Sequence, residues 1–197
     1  RFENLFDPVV LFPEAEFDRV RIDARSARAE GAELFVKFPQ RGSWSGWLGY
    51  TWARVQDRSD GLAVPRSWDQ RQVVNAGVTW SKGPWTATLA GLYRTGWPTT
   101  ELAIANDAFG NPTLRLDERN RARFNAYSTI DARLTRTFAL AHGALDVFAE
   151  VTNALSRRNP CCARYRIGEA ADGTPSISRE IESGLPLVPS IGVLWRY

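Results

Sequence analysis

Two adjacent cysteines, Cys161 and Cys162, are the only thiols in the chain. They lie in a long polar stretch that runs from about Ser156 to Pro186. Adjacent cysteines can close a strained ring with each other, bridge to separate partners, or bind a soft metal ion. If the stretch faces an oxidising exterior, a disulfide persists there. We therefore treat Cys161 and Cys162 as a disulfide candidate, and since no His or Met lies near them, we predict no metal site.

The ionisable side chains do not form a catalytic pattern. The only histidine, His142, falls in a predicted short turn, where a solvated side chain is the simpler interpretation. Asp131, Asp146 and Glu150 lie opposite Arg133 and resemble paired acid and base carboxylates. Charges on neighbouring strands are more typical of a cross-strand ladder. With no glycine-rich phosphate loop and no cluster of metal-ligand spacing, we predict no enzymatic activity and no cofactor.

Aromatic and arginine side chains are frequent in the predicted long connections. Trp and Tyr offer stacking area, and the arginine fork can grip a carboxylate or a phosphate. We predict that ligand binding involves Trp68, Asp69, Arg71, Trp97, Arg119, Arg121, Arg123, Arg164 and Tyr165. Loop arginines can instead bind phosphate groups other than those of a ligand, or keep a loop soluble. We expect the arginines at 119, 121 and 123 to make no hydrogen bonds to the wall of strands beneath them.

The elements that position these side chains are strands, because apolar residues recur at every second position. In the last stretch, one face carries Pro189, Ile191, Val193, Trp195 and Tyr197, and the other carries Ser190, Gly192, Leu194 and Arg196. A period of two over about ten residues is what a transmembrane β-strand requires, since one face meets lipid and the other a polar lumen. Strands are predicted near residues 2–12, 19–38, 44–55, 74–80, 85–94, 130–135, 145–152 and 189–197. The predicted fold class is all-β, an antiparallel transmembrane β-barrel segment of about eight strands.

Composition allows this fold and excludes some others. The chain is 44% hydrophobic and 24% charged, which is ordinary for a soluble protein. No run approaches the roughly 18 apolar residues of a membrane-spanning helix, so a membrane role must depend on strands. Eight tryptophans favour an interfacial belt. The basic residues are spread along the chain despite a net charge of +3, so we predict no nucleic-acid partner.

Connection lengths predict an orientation. Short connections near residues 39–43, 81–84 and 139–143 alternate with long ones after Val55, Thr95 and Leu155. In bacterial outer-membrane barrels the periplasmic turns are short and the extracellular loops are long. One aromatic girdle at the short turns would contain Phe38, Trp44, Trp80, Trp85, Phe138, Trp195 and Tyr197, and the opposite girdle Tyr50, Trp52, Tyr93 and Trp97. Arg136 departs from the pattern by facing outward, and we expect it to snorkel at the interface.

The small size of several residues that would face the lumen predicts a barrel wider than eight strands. Several are small, namely Ser45, Gly49, Gly77, Ser190 and Gly192, whereas an eight-stranded barrel fills its lumen with side chains. The chain begins Arg-Phe-Glu-Asn without Met or an export signal, so we expect a fragment whose signal peptide and N-terminal domain lie upstream. An incomplete barrel would leave two edges in lipid. We therefore expect further strands to complete the barrel.

Four segments resemble the TonB-dependent outer-membrane receptors. Residues 26–33 are similar to the strand before their Gly-Val-Glu signature. Residues 69–75, which contain Asp-Gln-Arg followed by Val-Asn, are similar to a strand start that is characteristic of these receptors. Residues 148–155, Phe-Ala-Glu-Val-Thr-Asn-Ala-Leu, resemble their penultimate strand, and residues 191–197 their last strand. The resemblance implies that residues 1–197 are the C-terminal portion of a roughly 22-stranded barrel whose lumen holds a plug.

The resemblance also implies a function and a location. The chain would be the wall of a receptor in the outer membrane of Gram-negative bacteria, importing a scarce ligand such as a siderophore, cobalamin or a saccharide. The implied partners are the TonB complex, reached through the plug, the outer-membrane lipids and lipopolysaccharide, the assembly machinery, which binds the C-terminal strand, and a small extracellular ligand. Two alternatives remain at this point: a passive outer-membrane porin, and a soluble β-sandwich binding module.

Overall fold

The computed structural model describes residues 2–3, 26–59, 61–171 and 173–197. Within them every regular element is a strand: β1 (Phe2–Glu3), β2 (Ser26–Arg41), β3 (Trp44–Ser59), β4 (Leu62–Pro65), β5 (Gln72–Lys82), β6 (Trp85–Arg94), β7 (Pro98–Thr99), β8 (Leu102–Asn106), β9 (Pro112–Leu116), β10 (Ala122–Arg123), β11 (Tyr127–Leu140), β12 (Gly143–Thr152), β13 (Pro160–Glu169), β14 (Pro175–Ser183) and β15 (Val188–Arg196). In the same residues no helix has the length and hydrophobicity needed to cross a membrane. The predicted all-β class is confirmed.

One antiparallel sheet contains most of the chain. Its strand order is β1-β2-β3-β5-β6-β11-β12-β15, with β4 added beside the far end of β3. We call it the main sheet. Short turns join β2 to β3, β5 to β6 and β11 to β12, and the long connections all leave from the opposite end. Among the described residues β15 has no second neighbour and β2 meets β1 only at Ser26 and Ala27, so the described strands form an open sheet.

The long connection predicted after Val55 is wrong for residues 56–59 and 62–65, which form strands. Strand β3 continues to Ser59, and β4 then turns back along it, pairing Gln56 with Pro65 and Ser59 with Leu62. The other side of β3 is paired with β2 as far as Ser26 and Arg58. Backbone hydrogen bonds on both sides hold these polar residues extended, and a strand without an apolar face carries no period-two signal.

The other predicted strands differ mainly in their ends. Strand β2 reaches Arg41, so the predicted turn at residues 39–43 narrows to Gly42 and Ser43, and a register irregularity lies between Phe38 and Arg41. Residues 4–12 and 19–25 of the predicted strands lie outside the described residues. The two longest connections contain two-stranded ribbons of their own, β7–β10, β8–β9 and β13–β14.

The register gives the main sheet two chemically distinct faces. One row of paired residues crosses six strands and is wholly apolar: Trp44, Trp80, Ala87, Leu134, Ala149 and Ile191. The row one position away points to the other face and is polar: Ser45, Thr79, Thr88, Arg133, Glu150 and Ser190. A slip of one residue between any two strands would mix the faces, so this pattern strongly specifies the register. We call the two faces the apolar face and the polar face.

The apolar face has no covering layer among the described residues. The only buried hydrophobic residues in the described part of the chain are Ala27 and Ala163, and neither belongs to the apolar face. Large apolar side chains on this face remain exposed, including Leu34, Trp44, Leu89, Leu134 and Ile191. Monomeric soluble proteins rarely expose contiguous apolar patches of this kind. Within the described residues, the apolar face is thus a large exposed nonpolar surface.

Aromatic residues border the apolar face at both ends. Trp44 pairs with Trp80 near the short turns, and Trp85 and Tyr93 are eight positions apart along β6. At a rise of about 3.3 Å per residue the two aromatic levels are about 26 Å apart along the strand. With the strand tilt typical of outer-membrane barrels this corresponds to a height of about 20 Å, slightly less than their roughly 25 Å apolar band. The guanidinium of Arg136 lies over the rings of Trp85 and Phe138, at 5.1 and 4.8 Å from their centres. The outward arginine is thus covered by aromatic rings.

Candidate functional site

The long connections meet at one end of the main sheet around Asp69, whose side chain is fully buried. Its Oδ1 accepts a 2.6 Å hydrogen bond from the amide of Val55, at the far end of β3. Its Oδ2 accepts from Arg71 Nε at 2.6 Å and from the guanidinium of Arg123. Arg123 NH1 also donates to the main-chain carbonyls of Asp69, at 2.7 Å, and of Gly96, at 3.1 Å. One carboxylate thus joins β3, the start of β5 and the connection that contains β7–β10.

A second buried pair lies close by in the chain. Asp57 on β3 and Arg66 after β4 form a 2.6 Å ion pair between two buried side chains, and Arg119 lies 3.9 Å from the other Asp57 oxygen. Asn120 is buried as well. Its side-chain Nδ2 donates to the carbonyl of Pro65 at 2.7 Å, and its backbone N–H donates to Thr100 Oγ1 at 3.0 Å. Its backbone has a φ of 55°, a left-handed conformation that Asn tolerates better than most residues.

We call the residues of these two groups the polar clamp: Asp57, Arg66, Asp69, Arg71, Arg119, Asn120 and Arg123. Its four arginines exceed its two aspartates, which leaves two positive charges. Arg71 and Arg123 keep 29% and 30% of their side chains exposed. The clamp is thus a hydrogen-bonded scaffold whose exposed edge carries the arginine side chains.

The predicted tryptophans flank this clamp, each beside a cation. The guanidinium of Arg66 lies 5.0 Å from the ring centre of Trp68. Arg94 lies 4.7 Å from the ring of Trp97 and 4.3 Å from that of Tyr127. Trp68 and Trp97 are still 40% and 36% exposed. A ring that already has a cation on one face can present its other face to a ligand.

The remaining predicted ligand residues have other surroundings. Arg121 makes a 3.5 Å ion pair with Glu118, and both side chains are mostly exposed. Arg164 pairs with Glu182 at 2.5 Å across the β13–β14 ribbon. Tyr165 lines a cleft of about 350 Å³ between that ribbon and β8, together with Glu101 and Arg179, which are ion-paired. The ion-pair partners of Arg121 and Arg164, which are Glu118 and Glu182, lie outside the polar clamp.

As expected for a loop arginine, Arg123 makes its side-chain hydrogen bonds outside the strands of the wall, to Asp69 and Gly96, but it is joined to the wall indirectly through Asp69. Its partner Asp69 is itself bonded to the backbone of β3, so Arg123 is part of the support of the site as well as of its surface. Sequence inspection missed Asp57, Arg66 and Asn120 altogether. They lie in polar stretches whose spacing carries no signal of long-range pairing.

Carboxylates of the polar face are engaged in cross-strand contacts. Arg133 NH1 lies 3.4 Å from Glu150. Asp146 accepts from Thr137 at 2.6 Å and from Arg196 at 2.8 Å, and Asp131 accepts from the amide of Asn153. His142 is exposed in the turn between β11 and β12. These contacts fit the ladder that the sequence predicts.

The cysteines lie on β13. Their sulfurs are 2.7 Å apart and both are free thiols, so the disulfide stays a prediction. Cys162 Sγ also lies 3.3 Å from Glu182 Oε2. Burial, followed by the neighbouring Cys161 and Glu182, raises the pKa of the Cys162 thiol to about 12. At neutral pH this thiol is protonated.

No protein-family model matches this chain, and neither a curated protein nor a solved structure matches it significantly. A functional argument therefore starts from the geometry of the sheet and of the clamp.

Proposed function

We propose that this chain forms part of the wall of a bacterial outer-membrane β-barrel, and that the barrel is a receptor for the energised import of a scarce ligand. The observation that carries the proposal is the two-faced main sheet, with an uncovered apolar face and a polar face that carries Ser, Thr, Arg and Glu in register. A sheet in lipid needs this arrangement, since one face meets hydrocarbon and the other a polar lumen.

The apolar face offers room for lipid chains. A shallow groove of about 800 Å³ on this face is lined by the small side chains of Ala87, Ala132 and Ala149 together with larger ones such as Trp44 and Leu134. A soluble β-sandwich would instead pack a second sheet on this face, and no described strand does so. This difference favours the membrane wall over the sandwich.

Open edges suggest that more strands take part. Unpaired strand edges are not viable in hydrocarbon, because their N–H and C=O groups have no partner there. Strand β15 and most of β2 have such an edge among the described residues. In the proposed barrel further strands pair with both edges, and the small inward residues Gly49, Gly77 and Gly192 face a lumen wide enough for a plug.

The receptor role is supported by the end of the sheet that carries the polar clamp. All three long connections lie there, and in outer-membrane barrels this end is extracellular. Trp68 and Trp97, with the exposed parts of Arg71 and Arg123, offer stacking surfaces next to positive charge. This chemistry suits a small anionic ligand such as a ferric siderophore. Energy coupling through TonB is proposed from the receptor-like segments.

Planar-bilayer conductance of the intact protein tests the receptor against the porin. A plugged receptor should give no steady current in potassium chloride, because its lumen is filled. A stable ohmic conductance would move the protein to the porin class. In a parallel assay, cells with and without TonB are given a radiolabelled ferric siderophore, and accumulation that needs both TonB and the proton-motive force supports the proposal. Equal accumulation in both strains would contradict it.

A further inference from the structure

The β13–β14 ribbon brings together three side chains that can ligate a metal. Cys161 Sγ, Cys162 Sγ and a carboxylate oxygen of Glu182 all lie within 4.8 Å of one another. Cys161 is exposed, whereas Cys162 and Glu182 are half-buried. An ion can therefore reach the group from solvent and be partly enclosed by it. Neither the wall nor the polar clamp uses these residues.

A strand irregularity is what lets the two sulfurs converge. In a regular strand, neighbouring side chains point to opposite faces, so Cys161 and Cys162 would be held apart. Here the register shifts between Pro160 and Cys162, which leaves Cys161 without a cross-strand partner. Bulges of this kind re-aim a side chain and are frequent next to functional sites. The shift places both sulfurs on one side of the ribbon, 2.7 Å apart.

The third donor comes from the facing strand. Glu182 is the register partner of Cys162, and one of its oxygens lies 3.3 Å from that sulfur. The other oxygen is held by Arg164 at 2.5 Å. Arg164 thereby orients the carboxylate, leaving the oxygen nearer the thiols available to a metal. Such supporting contacts orient ligands in known metal sites.

We propose that Cys161, Cys162 and Glu182 form a binding site for a thiophilic divalent ion of the zinc class. Two sulfurs and one carboxylate oxygen suit Zn²⁺ or Cd²⁺, whereas Mg²⁺ and Ca²⁺ prefer oxygen ligands alone. Two thiol protons leave as the ion binds, no electron is transferred, and the fourth position remains open to water. Two sulfurs on one tetrahedral zinc ion lie about 3.8 Å apart, given Zn–S bonds of about 2.3 Å. Closing the site therefore requires the sulfur of Cys161 to move by about 1 Å. A rotation of this exposed side chain can supply that movement.

Cadmium titration of the reduced, full-length protein tests the site. Binding should produce thiolate-to-cadmium absorption that saturates at one ion per chain, should release two protons, and should be reversed by Zn²⁺. Replacing either thiol, Cys161→Ser or Cys162→Ser, should abolish that saturable signal. Glu182→Gln should keep the absorption but weaken the affinity about tenfold or more.

The matched control lies on the same strand. Glu180 forms a 3.1 Å ion pair with Arg166 and has no sulfur next to it, so Glu180→Gln removes an equivalent ion pair without touching the site. Its affinity should equal that of the unmodified protein. The proposal is overturned if no stoichiometric absorption develops, if the two glutamine variants behave alike, or if the cysteines form a disulfide that resists the reductant.

Discussion

Asp69 and Arg123 are 54 positions apart in the chain, yet the Arg123 guanidinium binds both the carboxylate and the main-chain carbonyl of Asp69. Asp69 in turn accepts from the amide of Val55 on β3. The contact fastens the connection between β6 and β11 to the far end of the β3–β4 hairpin. Residues that a ligand would meet are thereby held on a rigid support, which lowers the entropy lost on binding.

Replacing Arg123 by Ala should loosen this connection. Hydrogen bonds to a buried carboxylate contribute about 1.5–3 kcal/mol, and partial exposure of Arg123 reduces this to about 1–2 kcal/mol. Limited proteolysis of the folded protein should show faster cleavage between residues 101 and 119. Arg121→Ala is the control, because its ion pair with Glu118 is exposed and should contribute less than about 0.5 kcal/mol. Equal cleavage rates in the two variants would refute the supporting role of Arg123.

Gly77 should not tolerate a methyl group. A Cβ at this position would lie 2.7 Å from Trp47 Nε1, on the polar face of the neighbouring strand. The indole must then move, and we expect Gly77→Ala to lower the free energy of unfolding by about 1–3 kcal/mol. At Gly91 the nearest atom would be 3.8 Å away, so Gly91→Ala should be nearly neutral. Denaturant unfolding of both variants checks this, and similar losses would argue against the Trp47 contact.

The stability of the tip of the β8–β9 ribbon should decrease at acid pH. Hydrogen bonds from the amide of Asn111 and then from that of Phe109 lower the pKa of Asp107 below its usual 3.8. A lowered pKa means that the carboxylate stabilises the tip above pH 3.8 and that this stabilisation is lost as pH falls through the lowered value. Amide exchange at 109 and 111, corrected for its intrinsic pH dependence, should rise there. An Asp107→Asn variant should lack this step; its persistence would assign the step to another group.

The proposed orientation of the main sheet across the outer membrane can be tested with single reporter cysteines, in a background where Cys161 and Cys162 are replaced by Ser. Asn111 lies at the tip of a ribbon in a long connection, whereas Lys82 and His142 lie at short turns. A membrane-impermeant maleimide should label a cysteine at 111 in intact cells and leave 82 and 142 unlabelled until the outer membrane is opened. Labelling at 82 in intact cells would reverse the proposed orientation.

Sequence periodicity was sufficient to predict the two faces of the main sheet, because apolar and polar side chains alternate along its strands. Trp44, Trp80 and Leu134 could be placed on one face before their pairing was known, and the register joins them in one row. The outward Arg136 could also be located, although the two rings that cover it could not. Alternation predicts faces and leaves the partners across strands undetermined.

The site could be predicted only in part. Asp69, Arg71 and Arg123 were found by residue type, but their mutual contacts depend on how the connection at residues 96–123 folds back. Asp57 and Asn120 were missed because a buried polar residue in a polar stretch looks like a solvated one. The pairing of Cys162 with Glu182 depends on a register shift and on the length of the β13–β14 ribbon, and the sequence carries neither in its period.

The most direct test of the membrane wall uses two adjacent residues on β6. Leu89 is 47% exposed on the apolar face, and Ala90 points to the polar face opposite Asp131. We predict that Leu89→Arg lowers the free energy of unfolding in lipid vesicles by about 2–4 kcal/mol, the cost of a lipid-facing arginine near the bilayer midplane. The Ala90→Arg change should lower it by about 1 kcal/mol or less. In a water-soluble protein an arginine at so exposed a leucine is tolerated. Equal stability of Leu89→Arg and the unmodified protein would therefore contradict the account.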